Sequence, residues 1–414
     1  MYNPLPEAED NRPIIPKFWT GQPAVPFEDF QIDCSKFQMD KIVQKTTVNG
    51  VTETFTDDDF HETKALKDEM SYKFNKVGAV QLIKTGLEDM TSMEKVSKLV
   101  SGKGMKYEGG ANLRGYVEKN VYDTGAPLEA HIHYHTEMAY VKESTKWLAF
   151  LCEHGCRDPK KGGTFLSDKI KATDTLMNKY PKLGNKLKEK GICYVRKLPD
   201  LKFFEDNNLD KSIVYNFWQT SMQTEDMDEA VKVANRKGLE VEWQESPMFG
   251  KHKTNIQRNQ HAKSYILQNR RFNVKIFIII LDFIGRYMVT KFYVSAFEYD
   301  PYSDKNLIYS SIADDYMWFD TWKGVMELPH WERPLKMNFG DDEVMTREEK
   351  QQFVDIFDAH GTPCYWSKGD ISVVCNFRMA HGRPGFSLEE GERRELGVVL
   401  GETFARVGDL SDKW

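Results

Sequence analysis

Cysteine is scarce in this chain. Its six in 414 residues are Cys34, Cys152, Cys156, Cys193, Cys364 and Cys375, and their spacing fits neither a zinc ribbon nor a disulfide framework. Cys152, His154 and Cys156 stand close together, but on W-L-A-F-L-C-E-H-G-C they read as buried thiols beside a turn. Reduced thiols are the rule inside cells, so a cytoplasmic enzyme is expected. Long apolar runs are missing too: the most apolar stretch, Val274 to Ile284, is broken by Lys275 and Asp282 and is too short to span a bilayer. Met1 to Asn11 is acidic and proline-containing where a secretory signal would be basic and then apolar. The net charge is only −6, with 29% charged residues of mixed sign, which argues against a nucleic-acid partner. No repeat or low-complexity tract is present.

What the chain does have is A-H-I-H-Y-H-T-E-M-A-Y at Ala130 to Tyr140. His131, His133, His135 and Glu137 fall at every second position of a strand-forming run, so their side chains share one face. His135-Thr136-Glu137 is the triple that sets a carboxylate two residues after a histidine. His133 competes with His135 for that part, as a neighbour that orients a ligand or faces the substrate, and His131 belongs at the strand edge. A second stretch, Trp366 to Phe386, reads as a turn at Lys368-Gly369-Asp370, a strand from Ile371 to Cys375 and a loop delivering His381. His135, Glu137 and His381 together form a two-histidine, one-carboxylate set, which leaves open positions on a non-haem Fe(II) ion for oxygen and a co-substrate.

H-T-E-M-A-Y, K-G-G-T-F-L-S-D at Lys161 to Asp168, G-D…C-N…H-G-R and G-E-R-R-E-L occur in that order. The chain resembles the Fe(II)/2-oxoglutarate-dependent oxygenases of the taurine dioxygenase and clavaminate synthase type, from Tyr107 to Phe404. The resemblance implies His135, Glu137 and His381 as metal ligands and catalytic residues, with Fe(II), 2-oxoglutarate and O2 as cofactor and co-substrates. It aligns Thr164 with a threonine that contacts the 2-oxoglutarate carboxylate, although K-G-G-T here replaces the family's usual G-G-x-T. The distal carboxylate needs a cation that stays charged and donates two parallel hydrogen bonds, which arginine provides. Arg394 and Arg393 both follow His381 at a distance typical of the family, and R-x-L from Arg394 fits the motif better. Many relatives carry another arginine four residues on; here that place holds Val398, or Gly397 if Arg393 is the counterpart. Arg383, His133 and Arg114 are candidates near the substrate, with a structural salt bridge the alternative for Arg383 and a surface position that for Arg114. Cys375 stands where the family tends to have the aspartate of D-N, a change expected to affect packing more than chemistry.

The fold implied is mainly β with helices (α+β), a double-stranded β-helix or cupin-like jelly roll with a large helical insertion. Residues 1–106 are expected to form an N-terminal arm and helix/strand region packed on the core, and residues 107–414 the catalytic domain, with the insertion at about 170–345. In chain order, Met1 to Phe27 holds six prolines and reads as an extended arm. Asn49-Gly50 within Lys45 to Phe55 signals a hairpin. His61 to Lys76 reads as a helix and Val77 to Ile83 as a strand. Thr91 and Glu94 suggest a capping box on a helix with Met93, Val96 and Val100 inward. Lys146 to Cys152 suits a strand buried on both faces. Helices are expected at Ala172 to Leu187 and at Ser221 to Gly238, the latter with Val231 and Val233 on its core side, and strands at Gly191 to Lys197 and Val241 to Trp243. Gln257 to Tyr299 reads as an extra buried strand pair, an insertion or a dimer contact. Thr346 to His360 is an amphipathic helix with a Thr346–Glu349 capping box and Gly361 at its C-cap.

The function implied is oxidation of a C–H bond of a small amino-acid-like or carboxylated metabolite by hydroxylation, with succinate and CO2 as co-products. Oxidative cyclisation or desaturation in specialised metabolism, as in kainoid synthases, is the neighbouring expectation, and a β-helix protein that binds metal or ligand without turnover is the non-enzymatic one. Glu137 argues against halogenation, because related halogenases lack the carboxylate ligand. A small-molecule substrate is expected, with no nucleic-acid or membrane partner.

Overall fold

The computed structural model describes residues 14–19, 21–45, 61–102, 116–118, 121–123, 127–209, 211, 216–247, 284–311 and 333–406. The hairpin expected at Lys45 to Phe55, the first part of the proline-rich arm, Arg114 and most of the apolar run at Val274 to Ile284 lie outside these residues. Two compact units are present, one of Ile14–Cys193, Tyr293–Trp318 and Met337–Trp414, the other of Met1–Pro13, Tyr194–Phe292 and Phe319–Lys336. Helices and sheets are mixed.

The larger unit contains a seven-stranded sheet in the order Gln31–Asp33, Ala79–Ile83, Ile371–Cys375, Glu143–His154, Glu395–Ala405, Val121–Asp123, Tyr116–Glu118. Its first pair is parallel and the others antiparallel. A four-stranded antiparallel sheet runs Gly361–Cys364, Thr164–Asp168, Met379–Arg383, Ile132–His135. Leu148, Phe150 and Cys152 alternate along one long strand and Leu396, Val398 and Leu400 along the next, and they share a core with Leu166, Cys364 and Met379 of the smaller sheet. The opposite face, with Ala149, Leu151 and Val399, is also buried, beneath helix Met90–Ser101. The continuously apolar sequence of Lys146 to Cys152 therefore reports burial on both faces, as expected.

The described part of the N-terminal arm packs on this unit. Ile14 and Phe18 are buried, Asp358 accepts from the backbone N–H groups of Lys17 and Phe18 at 2.8 and 2.9 Å, and Tyr134 donates to the Phe18 carbonyl.

Helix His61–Val77 and strand Ala79–Ile83 fall where the pattern put them. Helix Arg347–Asp358 has the expected capping box between Thr346 and Glu349 and buries Phe353, Ile356 and Phe357. Several local expectations are corrected. The helix at 90–101 is capped by Asp89, which accepts from Ser92 N–H at 2.8 Å; Glu94 instead pairs with Lys98 at 2.6 Å, one turn on. Its inward side carries Leu99 rather than Val100. The helix expected over Ala172 to Leu187 is two helices, Lys169–Lys179 and Pro181–Lys190. Pro181 has no N–H to continue the first and its fixed φ suits the start of the second. Gly361 is not a C-cap: Ala359 holds that place, and Gly361 opens a strand where a Cβ would meet the Phe18 carbonyl.

In the smaller unit the segment expected as one helix at Ser221 to Gly238 is Trp218–Met222 followed by Met227–Arg236. Ala230 and Ala234 are its buried positions, one helical turn apart, whereas Val231 and Val233 are only half-buried. Glu240–Pro247 pairs antiparallel with Ile284–Val294, so the described end of the apolar segment is a paired strand, with Tyr287 and Met288 fully buried. Among the described residues no helix is long and apolar enough to cross a membrane.

Candidate metal and co-substrate site

Strand Ile132–His135 lies beside strand Met379–Arg383, with His135 and His381 as register partners. His381 thus sits within a strand and not on the loop expected from its sequence. The Ile132–His135 strand stops at His135, and Glu137 begins a turn at 137–140 in which Met138 takes φ 56°, a left-handed value uncommon for a residue with a side chain.

These placements bring two imidazoles and one carboxylate together. Glu137 Oε2 lies 3.9 Å from His135 Nε2 and 3.8 Å from His381 Nε2, and one ligand atom from each of the three residues lies within 4.8 Å of the others. The separations exceed hydrogen-bond length and leave space between the three donors. His135 Nδ1 is 3.0 Å from the His133 carbonyl; an N–H there fixes the tautomer in which Nε2 carries the lone pair a metal takes. Nitrogen and carboxylate donors on one side of a position suit a divalent first-row metal such as Fe(II). Among the described residues no other group of three or more histidine, cysteine, aspartate or glutamate side chains is placed to hold an ion. Cys152 and Cys156 are buried free thiols, and burial pushes Cys152 up to about 12.

A cationic corner lies in the same unit. Arg394 Nη2 donates to the Gly162 carbonyl at 2.8 Å, its guanidinium carbon is 5.2 Å from the Phe386 ring centroid, and its Nε is buried without a protein partner. Burial pulls its pKa down. Gly162 permits this approach in two ways: it has φ 66°, and a Cβ there would stand 2.9 Å from Arg394 Nε. Two residues on, Thr164 Oγ1 accepts from Trp366 Nε1 at 3.1 Å. The glycine turn and the approach of Arg394 are therefore one feature. Asp168, whose spacing from Thr164 carried part of the resemblance, caps helix Lys169–Lys179.

Arg393 points elsewhere, into an exposed ion pair with Glu395. Arg383 is buried, and its Nη2 donates to the carbonyls of Pro127, Leu128 and Ala130 at 2.5, 3.3 and 3.2 Å, pinning the chain that enters the His135 strand. It makes no ion pair among the described residues, and it too lies on Phe386, at 5.1 Å. Burial, with the charge of Arg394 adding, brings its pKa down to about 10. The His133 ring is buried, and desolvation holds it down to about 3, so it is neutral; its carbonyl rather than its ring meets His135. His131 Nδ1 accepts from Gly385 N–H at 3.1 Å. Phe386 was quoted in the sequence only as the end of a motif, and nothing in its spacing marks it as a platform for two arginines.

A mixed helix and sheet protein with two histidines and a carboxylate converging belongs, as a class, with the non-haem iron oxygenases. Comparison makes the placement definite: the sequence model described as taurine catabolism dioxygenase TauD, TfdA family, matches residues 52–400, and the chain belongs to that family. It is an Fe(II)/2-oxoglutarate-dependent dioxygenase. A clavaminate synthase-like protein of Arabidopsis thaliana is 23% identical over 286 residues, 68% of this chain and 70% of that protein. Similar solved structures include asparagine oxygenase in complex with Fe(II), 3-hydroxyasparagine and succinate, 10% identical with a TM-score of 0.44 over 90% of this chain and 93% of that one. Another is AAD-2 in complex with Mn(II) and N-oxalylglycine, 10% identical with a TM-score of 0.40 over 82% and 89% of the two chains.

Proposed function

We propose that this dioxygenase hydroxylates a C–H bond of a small amino-acid-like or carboxylated metabolite, releasing succinate and CO2. The observation that carries the reading is the convergence of His135, Glu137 and His381 to within 4.8 Å. In this reading those three residues hold Fe(II), which supplies the oxidising power once oxygen and 2-oxoglutarate are present. Arg394 holds the distal carboxylate of 2-oxoglutarate through its half-buried guanidinium, with the Thr164 hydroxyl beside it. Arg394 is preferred to Arg393 because it is half-buried and its buried Nε–H, without a protein partner, has a donor to give, and a carboxylate is bound more strongly where water is partly excluded. Arg383 keeps the entering loop in place, and the neutral His133 holds His135 in orientation through its carbonyl. Phe386 and Phe150, the latter 5.4 Å from the His381 ring, limit water around these groups.

The two sheets that share the core fit a double-stranded β-helix, and the smaller unit's Tyr194–Phe292 and Phe319–Lys336 fit an insertion at about 170–345. Residues 1–106 fit a region packed on that core, since they supply Gln31–Asp33 and Ala79–Ile83 to the larger sheet. The test is incubation with Fe(II), 2-oxoglutarate and oxygen against a panel of amino acids and small carboxylic acids. Substrate-dependent succinate with a product heavier by one oxygen atom supports hydroxylation. A product lighter by two hydrogens moves the reading to desaturation or cyclisation. Absence of succinate with every candidate and without one, from protein shown to hold iron, removes the catalytic reading.

A further inference from the structure

Glu137 is the ligand candidate that no sheet ladder holds. Its strand ends two residues earlier, and Met138 after it is in the left-handed region at φ 56°. The peptide groups of Thr136 and Glu137 find other partners: the Thr136 carbonyl accepts from Ala139 N–H at 3.2 Å within the turn, and side chains supply the rest. Ser311 Oγ accepts from Thr136 N–H and donates to the Thr136 carbonyl, each at 3.3 Å. Asn376 closes the same kind of pair on the next residue: its Oδ1 accepts from Glu137 N–H at 3.0 Å and its Nδ2 donates to the Glu137 carbonyl at 2.9 Å.

A second tier holds these clamps. Asn376 Nδ2 also lies 2.8 Å from the Thr145 carbonyl and 2.5 Å from the Tyr309 hydroxyl. Tyr309 meets Ser144 Oγ at 2.7 Å, and Ser144 Oγ reaches the Glu137 carbonyl at 3.2 Å. Lys169 Nζ donates to Thr136 Oγ1 at 2.9 Å and to the Asn376 carbonyl at 2.6 Å. Asn376, Tyr309, Ser311, Ser144 and Lys169 are all fully buried. Polar groups at such depth are held in a single arrangement by their bonds, because each broken one leaves a desolvated partner.

We infer that Asn376 and Ser311, braced by Tyr309 and Lys169, are positioning residues that fix the backbone of Glu137 and thereby set the third metal ligand against the two histidines. The inference rests on the metal reading proposed above. A second layer of this kind commonly governs affinity by about 10–100-fold per partner. A bidentate clamp on the ligand's own peptide is a direct route to such an effect, since a peptide rotation of a few degrees moves the carboxylate at the end of its side chain.

The test is Mn(II) titration followed by electron paramagnetic resonance, on wild type, His135→Ala, Asn376→Ala, Tyr309→Phe and Ser311→Ala, with folding checked by circular dichroism. Thr346→Ala, which removes the N-cap of helix Arg347–Asp358, serves as a control that lowers stability away from the clamp. The expected result is a loss of Mn(II) affinity of about 10–100-fold for Asn376→Ala and a smaller loss for Tyr309→Phe and Ser311→Ala. Thr346→Ala should lower thermal stability without changing affinity. If Asn376→Ala does not fold, the two milder variants decide. Wild-type affinity in folded Tyr309→Phe and Ser311→Ala overturns the inference while leaving the metal reading intact. Equal binding by wild type and His135→Ala, or none by wild type, overturns the metal reading and this inference with it.

Discussion

His135 and His381 are register partners on neighbouring antiparallel strands, with ring centroids 4.2 Å apart at an angle of 52°. Residues 136–380 separate them in sequence, so the two rings meet only when those strands pair. Each imidazole is thereby presented by a rigid element, while the carboxylate is presented by a turn. Replacing either histidine should abolish tight metal binding without unfolding the sheet. His381→Ala is expected to lose more Mn(II) affinity than the roughly 10–100-fold typical of an outer partner, with an unchanged far-ultraviolet dichroism spectrum.

The two adjacent arginines give a sharper contrast. Arg394 is half-buried, packed against Phe386 and Gly162, whereas the Arg393 side chain is 66% exposed. A charge-assisted hydrogen bond contributes about 1.5–3 kcal/mol, so Arg394→Ala should raise the KM for 2-oxoglutarate by at least about tenfold. Arg393→Ala removes a surface pair of little consequence and should leave that KM unchanged. Initial-rate kinetics with varied 2-oxoglutarate would decide, and the reverse pattern would exchange the two roles.

Gly401 tests the core behind the site. A Cβ added there would lie 1.6 Å from Trp147 Cζ2, on the strand paired with Gly401. The large ring is buried and cannot swing into solvent, so Gly401→Ala should cost about 1–3 kcal/mol of stability through overpacking. Denaturant unfolding of metal-free protein measures it.

Asp370 gives a prediction in pH. Its side chain is buried in the turn before strand Ile371–Cys375, where Oδ2 accepts from Ser367 N–H at 2.8 Å. Burial raises its pKa from 3.8 to about 6. The folded protein therefore binds this proton more tightly than the unfolded chain. Between those two values stability falls as pH rises, and above about 6 the full cost of the buried carboxylate is present. Two pKa units correspond to roughly 3 kcal/mol at most. Asp370→Asn should be more stable than wild type at pH 8 by about 1–2 kcal/mol and by less at pH 5, as read from urea unfolding at both pH values.

Much of this was legible in the residues because local chemistry decided it. His135 and Glu137 come within 3.9 Å of each other, although the strand expected to carry both on one face stops at His135, and Thr346 with Glu349 forms the cap its motif specifies. Where several donors compete, the sequence was ambiguous. Asp89 stands just before the helix at 90–101 and Thr91 just inside it, and Asp89 takes the cap, while Glu94 pairs with Lys98. Val231 and Val233 are two residues apart, which a helix cannot place on one face, so the smaller Ala230 and Ala234 turn inward. The clamp on Glu137 was not legible at all. Ser311, Tyr309, Lys169 and Asn376 come from separate segments and carry no shared motif; only Asn376 stood out, as half of an altered D-N pair. Arg393 and Arg394 are one position apart, so the sequence separated them only by the R-x-L that begins at Arg394; the structure adds their exposure, Arg394 half-buried and the Arg393 side chain 66% exposed.

The most direct measurement is an anaerobic titration with Fe(II) and 2-oxoglutarate, following the weak visible charge-transfer band of the chelate in wild type and His135→Ala. The expected result is a band that appears in wild type, saturates at one iron per chain, and is absent in the variant. Wild-type protein that holds iron but shows no band under oxygen-free conditions would contradict a site in which His135, Glu137 and His381 bind Fe(II) with 2-oxoglutarate.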